Sequence, residues 1–128
     1  MGAPALVNAD IELGEAIVRA LDEAEVQIGT ALWLYDSAAS EWRLVLSTSL
    51  VEREGSLAAY ERIQRVLRKR PDLEISLRQI SLIAGTDALI GWIRGVARTP
   101  GETLAGRRFT GTVIGGSLVE DAYIFRST

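Results

Sequence analysis

Residues 31–36 of the chain read ALWLYD and residues 41–46 read EWRLVL, with the short connection SAAS between the two runs. Two apolar-rich runs joined by four small residues are typical of a β-hairpin, so we predict strands over residues 26–36 and 41–48. A loop of this length also sets which side chains lie opposite each other. The predicted cross-strand pairs are Tyr35 with Trp42, Trp33 with Leu44, and Ala31 with Leu46. These pairs build one aromatic-rich face, which we expect helices to cover.

The opposite face of the predicted hairpin is too apolar to be freely solvated. It carries Leu32, Leu34 and Val45, with Arg43 among them. Monomeric soluble proteins rarely expose contiguous apolar patches larger than roughly a few hundred Å². Either another element of the chain or another chain must therefore cover this face. The candidate protein interface consists of Leu32, Leu34, Arg43 and Val45.

The rest of the chain alternates between helix and strand signals. Apolar spacing predicts helices over residues 8–24, 54–70 and 87–97, and strands over residues 79–84, 107–114 and 117–126. The last hairpin closes at Gly115–Gly116 or, alternatively, at Glu120–Asp121. The order αββαβαββ predicts an α+β fold, with a mostly antiparallel sheet of about five strands and about three helices on one face. With 128 residues and no linker-like segment, we expect a single domain over residues 1–128.

Three glycines lie inside predicted helices, where each costs about 1 kcal/mol of helix stability relative to alanine. Gly14 lies in the first helix, and Gly91 and Gly95 lie in the third. Close packing of each helix on the sheet would explain them, and for Gly91 and Gly95 the alternative is a helix–helix contact in a dimer. Thr86 is the predicted N-cap of the third helix.

Cysteine and histidine are both absent from the chain. Their absence excludes disulfides, thiolate metal sites and a Ser–His–Asp triad, and it removes the usual general base. The acidic pairs Asp36 with Glu41 and Glu120 with Asp121 lie in predicted turns, where carboxylates commonly make local hydrogen bonds. We therefore assign no catalytic, cofactor-binding or metal-binding residue, and we expect a protein without a cofactor or enzymatic activity.

The charge balance favours a cytoplasmic protein over a general nucleic-acid binder. Fourteen Lys and Arg residues against 17 Asp and Glu residues give a net charge of -3. Nucleic-acid-binding domains usually carry a strongly basic face. The N-terminal residues lack the pattern of a signal peptide, and no apolar run approaches the ~20 residues of a membrane span.

An arginine-rich segment ends the helix predicted over residues 54–70. The candidate anion or nucleic-acid patch consists of Arg65, Arg68, Lys69 and Arg70, together with Arg107 and Arg108 farther along the chain. The planar fork of arginine suits phosphate and carboxylate recognition. The alternative is that these cations only complement the negative end of the helix dipole in water. No exposed aromatic residue is interleaved with them, so the stacking platform of single-strand binders is missing.

The strand pair at residues 31–36 and 41–44 (ALWLYD and EWRL) resembles a pattern in short bacterial proteins that have no assigned activity. The resemblance extends from the preceding helix to the strand at Ile80–Ile83. Its matching residues are hydrophobic-core residues. The resemblance therefore implies a bacterial, intracellular, single-domain protein, but no activity and no site residue.

Three hypotheses about function follow from these features. The leading one is a non-enzymatic interaction module that self-associates or docks on a protein partner. One alternative is a nucleic-acid-associated protein that uses the arginine-rich helix end. Another is a small-ligand-binding protein or enzyme with an apolar pocket lined by Trp33 and Trp42. They require, respectively, an accessible apolar face, a continuous basic surface, or a closed aromatic cavity.

Overall fold

The computed structural model describes Leu6 and residues 8–36, 38–96, 106–114 and 117–127. The elements in chain order are α1 (Asn8–Glu23), β1 (Thr30–Asp36), β2 (Glu41–Ser47), α2 (Ser49–Glu54), α3 (Ser56–Arg68), a 3-10 turn (Leu77–Gln79), β3 (Ile80–Ile83), α4 (Ala88–Val96), β4 (Arg107–Ile114) and β5 (Ser117–Ser127). Helices and strands pack on one another, which confirms the predicted α+β class.

The strands form one sheet in the order β3-β2-β1-β5-β4. All neighbouring pairs are antiparallel except β2 and β3, which run parallel. The prediction of a mostly antiparallel sheet missed this mixed character. A parallel neighbour requires a crossover connection rather than a hairpin, and α2 and α3 supply it between β2 and β3.

The first hairpin has the register that the sequence predicts, with Tyr35 opposite Trp42 and Trp33 opposite Leu44. Its first strand is shorter than predicted, because β1 begins at Thr30 rather than at Val26. Val26 is instead held against the end of α1, where its N–H donates to the carbonyl of Leu21 at 2.9 Å. Val26 is nevertheless buried, so its apolar character reflects the core rather than a strand.

The helix predicted over residues 54–70 corresponds to α3, and a further short helix that the sequence did not predict, α2, precedes it and is separated from it by Gly55. Gly55 has a φ of 87°, a left-handed conformation that breaks the helical path and favours glycine. Thr48 caps α2 by accepting a hydrogen bond from the N–H of Leu50. Four α-helices thus occur in the described part of the chain, where the sequence predicted about three.

The helices cover both faces of the sheet rather than one. On one face, α1 and α3 pack on an aromatic-rich core that includes Trp33, Leu44 and Phe125. On the other face, Ile93 and Leu89 of α4 pack on Leu32, Val45 and the partner strand β5. The prediction of helices on a single face was therefore wrong. Both registers of β1 are apolar because both faces of this central strand are buried.

A β-bulge between β1 and β5 changes the direction of one charged side chain. The register moves from Leu32 opposite Ile124 to Ala31 opposite Arg126, which leaves Phe125 as an extra residue. Arg126 therefore shares the α1 face of the sheet with Ala31 instead of facing α4. Its guanidinium reaches the carboxylate of Asp22 on α1 through two hydrogen bonds of 3.0 and 2.8 Å.

The register of the last hairpin decides between the two turns that the sequence left open. Ile114 pairs with Ser117, so the connection spans Gly115 and Gly116, which lie outside the described residues. Asp121 pairs with Thr110 in the middle of β5. The alternative turn at Glu120–Asp121 is therefore wrong.

The helical glycines divide into two kinds. A Cβ on Gly14 would lie 2.7 Å from the ring of Phe125 and from Nε1 of Trp33, which confirms close packing there. A Cβ on Gly91 or Gly95 would meet nothing within 4 Å, so the close packing predicted for them is wrong. At the start of α4 the predicted cap is also one residue off, since Asp87 rather than Thr86 accepts from the N–H of Leu89.

Candidate functional site

The apolar sheet face that was predicted as a protein interface is covered by the chain itself. Leu32 and Val45 are 1% and 4% exposed and lie beneath α4. Of the two alternatives left open by the sequence, another element of the chain provides the cover. Leu32 and Val45 are therefore core residues, and only Leu34 and Arg43 keep part of their surface in contact with solvent.

Arg43 is held by groups at the end of its own hairpin and by a neighbouring backbone carbonyl. Its guanidinium pairs with Asp36 at 3.1 Å and with Glu41 at 2.9 Å, and it donates to the carbonyl of Arg78 at 3.3 Å. The pKa of Asp36 is lowered, chiefly by the N–H of Ala39 and also by Arg43. The Asp36–Glu41 pair thus stabilises the hairpin through Arg43 and is not poised to hold a metal ion.

Trp33 and Trp42 do not form the apolar pocket that the third hypothesis requires. Trp33 is buried in the core, and its Nε1 donates to the carbonyl of Asp10 at 2.9 Å. Trp42 packs edge-on against Tyr35, with 5.5 Å between the ring centroids. Both indoles pack in or against the same apolar core, so they fill space rather than line one closed cavity.

The predicted basic patch separates into two parts on opposite edges of the sheet. Arg108 lies on the edge strand β4, whereas α3 packs near the other edge strand, β3. Arg108 also makes two hydrogen bonds with the carboxylate of Asp121, at 3.0 and 2.6 Å, which raise the pKa of Arg108. The side chain of Arg107 lies outside the described residues. The pair Arg108 and Asp121 is therefore a separate ion pair rather than an extension of the patch.

The cations of α3 and of the turn after it line a groove between α1 and α3. We call this surface the basic groove. It has a volume of about 490 Å³ and is lined by Arg62, Arg65, Lys69 and Arg70, by Glu23, and by the apolar residues Ala20, Ala24 and Val66. Arg68 is exposed but does not line the groove. All four cations belong to the basic run that the sequence shows between residues 62 and 70, although the candidate patch did not include Arg62.

The charges of the basic groove are only partly neutralised. Arg70 donates two hydrogen bonds to Asp72, at 3.1 and 3.0 Å, and these bonds raise the pKa of Arg70. Arg62, Arg65 and Lys69 take part in no ion pair with the described residues. Glu61 and Arg65 lie four residues apart on α3, yet they form no ion pair in the described structure. Three cations therefore face solvent around one short groove.

The α1 side of the basic groove was not visible in the sequence. Ala20 and Ala24 recur at four-residue spacing, which indicated only that they belong to an amphipathic helix. Their small side chains form the apolar part of the groove once α3 packs beside α1. No local signal connects α1 with α3, because about 40 residues separate the two halves of the groove and tertiary packing brings them together.

Comparison with known proteins finds no matching family model, no matching curated protein and no matching solved structure. None of the helices in the described ranges is long and apolar enough to cross a membrane. Within the same residues, no group of three or more acidic side chains is placed to hold a metal ion. The candidate site is therefore defined by its geometry and charge alone.

Proposed function

We propose that this protein is a non-enzymatic interaction module that docks an acidic segment of a protein partner in the basic groove. The single observation that carries the proposal is the set Arg62, Arg65 and Lys69, which surround one groove without carboxylate partners in the described part of the chain. Unpaired cations of this kind attract and orient an acidic partner, because complementary charge raises the rate and specificity of association.

The shape of the groove favours a peptide over a nucleic acid. The cations surround an apolar strip of Ala20, Ala24 and Val66, which fits small aliphatic side chains between acidic ones. A nucleic-acid backbone needs a longer basic track, and Arg108, which would extend it, lies on the far edge of the sheet and pairs with Asp121. The net charge of -3 also works against non-specific binding to nucleic acid.

The proposal retains docking on a protein partner from the leading hypothesis, but it places the docking site in the basic groove instead of on the apolar sheet face. Self-association through the face that carries Leu32 and Val45 loses its basis, because α4 covers both residues. Self-association through another surface stays a prediction, as does a bacterial origin. Light scattering over a range of protein concentrations tests self-association directly.

Fluorescence anisotropy with a labelled helical peptide of alternating Glu and Ala–Leu segments tests the proposal. We expect the triple variant Arg62→Gln, Arg65→Gln, Lys69→Gln to weaken peptide binding by at least about tenfold, roughly 1.4 kcal/mol. The matched control is Arg53→Gln, Arg68→Gln, Arg78→Gln, which removes the same charge from exposed residues outside the groove. The control should change binding by less than about threefold.

Two outcomes would overturn the proposal. If both triple variants weakened peptide binding equally, the peptide would be held by general charge attraction and not by the basic groove. Tighter binding of a labelled single-stranded or duplex DNA oligomer, lost only in the groove variant, would replace the protein partner by nucleic acid. Circular dichroism of each variant checks that the fold is retained, which we expect because every altered side chain is exposed.

A further inference from the structure

A second cavity lies at the end of the sheet where the only parallel pair of described strands finishes. Strand β2 ends at Ser47 and β3 at Ile83, and the chain then leaves toward α2 and α4. A cleft of about 730 Å³ opens there, within the range of small-molecule sites. Ligands commonly bind outside the carboxyl ends of parallel strands, because the departing connections leave a crevice between them.

Buried hydroxyl groups form part of the cleft lining. Ser47 is 1% exposed, and its Oγ accepts a hydrogen bond from the N–H of Thr30 at 2.7 Å. The Oγ1 of Thr48 accepts from the N–H of Leu50 at 3.3 Å. Each hydroxyl also carries one proton to donate, and neither proton meets an acceptor in the described part of the chain. Because each residue lines the cleft and its hydroxyl keeps a proton to donate, both hydroxyls are suited to the oxygens of a ligand.

Charged groups of both signs line the same cleft. Arg126 and Arg94 contribute guanidinium groups, and Asp22, Glu25 and Glu52 contribute carboxylates. The carboxylates of Asp22 and Glu52 already have partners, since Asp22 binds Arg126 and Glu52 accepts from the N–H of Gly85 at 3.0 Å. Glu25 is exposed and makes no ion pair with any residue that the structure describes.

This arrangement suits a ligand that carries both charges. A multiply charged anion would meet three carboxylates, and a simple cation would leave the hydroxyl protons of Ser47 and Thr48 unused. A carboxylate oriented toward these hydroxyls, with an ammonium group beside Glu25, satisfies both ends. We infer that the sheet-end cleft binds a free amino acid, a small zwitterion, with Ser47 and Thr48 at its carboxylate and Glu25 at its ammonium group.

Amide chemical-shift titrations with L-glutamine test this site, because the glutamine side chain can donate and accept hydrogen bonds within a polar lining. We expect saturable shifts at Ser47, Thr48 and Gly85. N-acetyl-L-glutamine lacks the ammonium group and L-glutaminamide lacks the carboxylate, so each should bind at least about tenfold more weakly. Shifts of equal size with either derivative, or no saturable shift with L-glutamine, would contradict the inference.

A pair of neighbouring carboxylates supplies the mutational control. Glu25→Gln should weaken L-glutamine binding by about tenfold and leave the fold intact, because Glu25 is exposed. Glu23→Gln lies two residues away but lines the basic groove, so it should leave L-glutamine binding unchanged. Equal effects of the two substitutions would refute the role of Glu25. Since Glu25 does not line the basic groove, this outcome is independent of peptide binding there.

Discussion

Gly14 shows how a single hydrogen atom in place of a side chain sets the distance between a helix and the sheet. The residue lies in the interior of α1, where glycine costs helix stability relative to alanine. The ring of Phe125 and the indole of Trp33 occupy the space that a Cβ would need. Both rings are buried, and Nε1 of Trp33 is fixed by its hydrogen bond to Asp10. Neither ring can move away without disturbing the core.

We expect Gly14→Ala to lower the free energy of unfolding by about 1 kcal/mol, and by no more than about 2 kcal/mol. Overpacking of a core costs about 1 to 3 kcal/mol, and the gain in helix propensity of about 1 kcal/mol offsets part of that cost. Gly91→Ala in α4 is the matched control, because its Cβ would enter open space. It should raise stability by up to about 1 kcal/mol. Urea unfolding followed by circular dichroism measures both, and equal signs for the two variants would contradict this account.

At the scale of elements, Tyr60 protects the edge strand β3. Its hydroxyl donates to the carbonyl of Ile80 at 3.3 Å and accepts from the N–H of Leu82 at 3.0 Å. These are backbone groups that the ladder with β2 does not use. Exposed strand edges invite pairing with other chains, and natural proteins commonly cover them. A side chain of α3 therefore closes this edge to strand addition.

Removing that hydroxyl should weaken β3 specifically. We expect Tyr60→Phe to lower the free energy of unfolding by about 1 to 2 kcal/mol, since two hydrogen bonds to the strand edge are lost. The amide of Leu82 should also exchange faster with solvent. Tyr35→Phe is the control, because the Tyr35 hydroxyl makes no hydrogen bond with the residues that the structure describes. Urea unfolding and hydrogen exchange measure the two effects, and unchanged protection at Leu82 would speak against the bridging role.

The first hairpin, α4 and the basic groove show which parts of the structure could be predicted from the sequence. The hairpin register follows from loop length and from alternation, which are local properties, so Trp33 opposite Leu44 was predictable. The apolar residues of α4 were also visible, but the face of the sheet that they cover depends on a crossover between distant segments. The basic groove, too, could be predicted only in part. Local spacing revealed the cations of α3, whereas the contribution of α1 arises only from tertiary packing.

At the scale of the whole molecule, Asp22 and Arg126 connect the first helix to the last strand across 104 residues of sequence. The side chain of Arg126 is 2% exposed, and that of Asp22 is 24% exposed. Arg126 also donates to the carbonyl of Ile28 at 3.3 Å, in the loop between α1 and β1. The bulge at Phe125 makes these contacts possible, because it turns Arg126 toward α1. One buried guanidinium therefore orders three segments at the end of the sheet.

Breaking the ion pair between Asp22 and Arg126 should lower the free energy of unfolding far more than breaking an exposed ion pair. We expect Asp22→Asn to lower the free energy of unfolding by about 3 kcal/mol, because it leaves the charge of Arg126 buried without its carboxylate. Glu15→Gln is the control, since it breaks the exposed pair of Glu15 and Arg19 and should cost less than about 0.5 kcal/mol. The double variant Asp22→Asn, Arg126→Met should regain part of the loss, because it removes the buried charge as well. Urea unfolding at neutral pH measures all three, and an Asp22→Asn cost no larger than the control would show that Arg126 is stabilised mainly by the backbone.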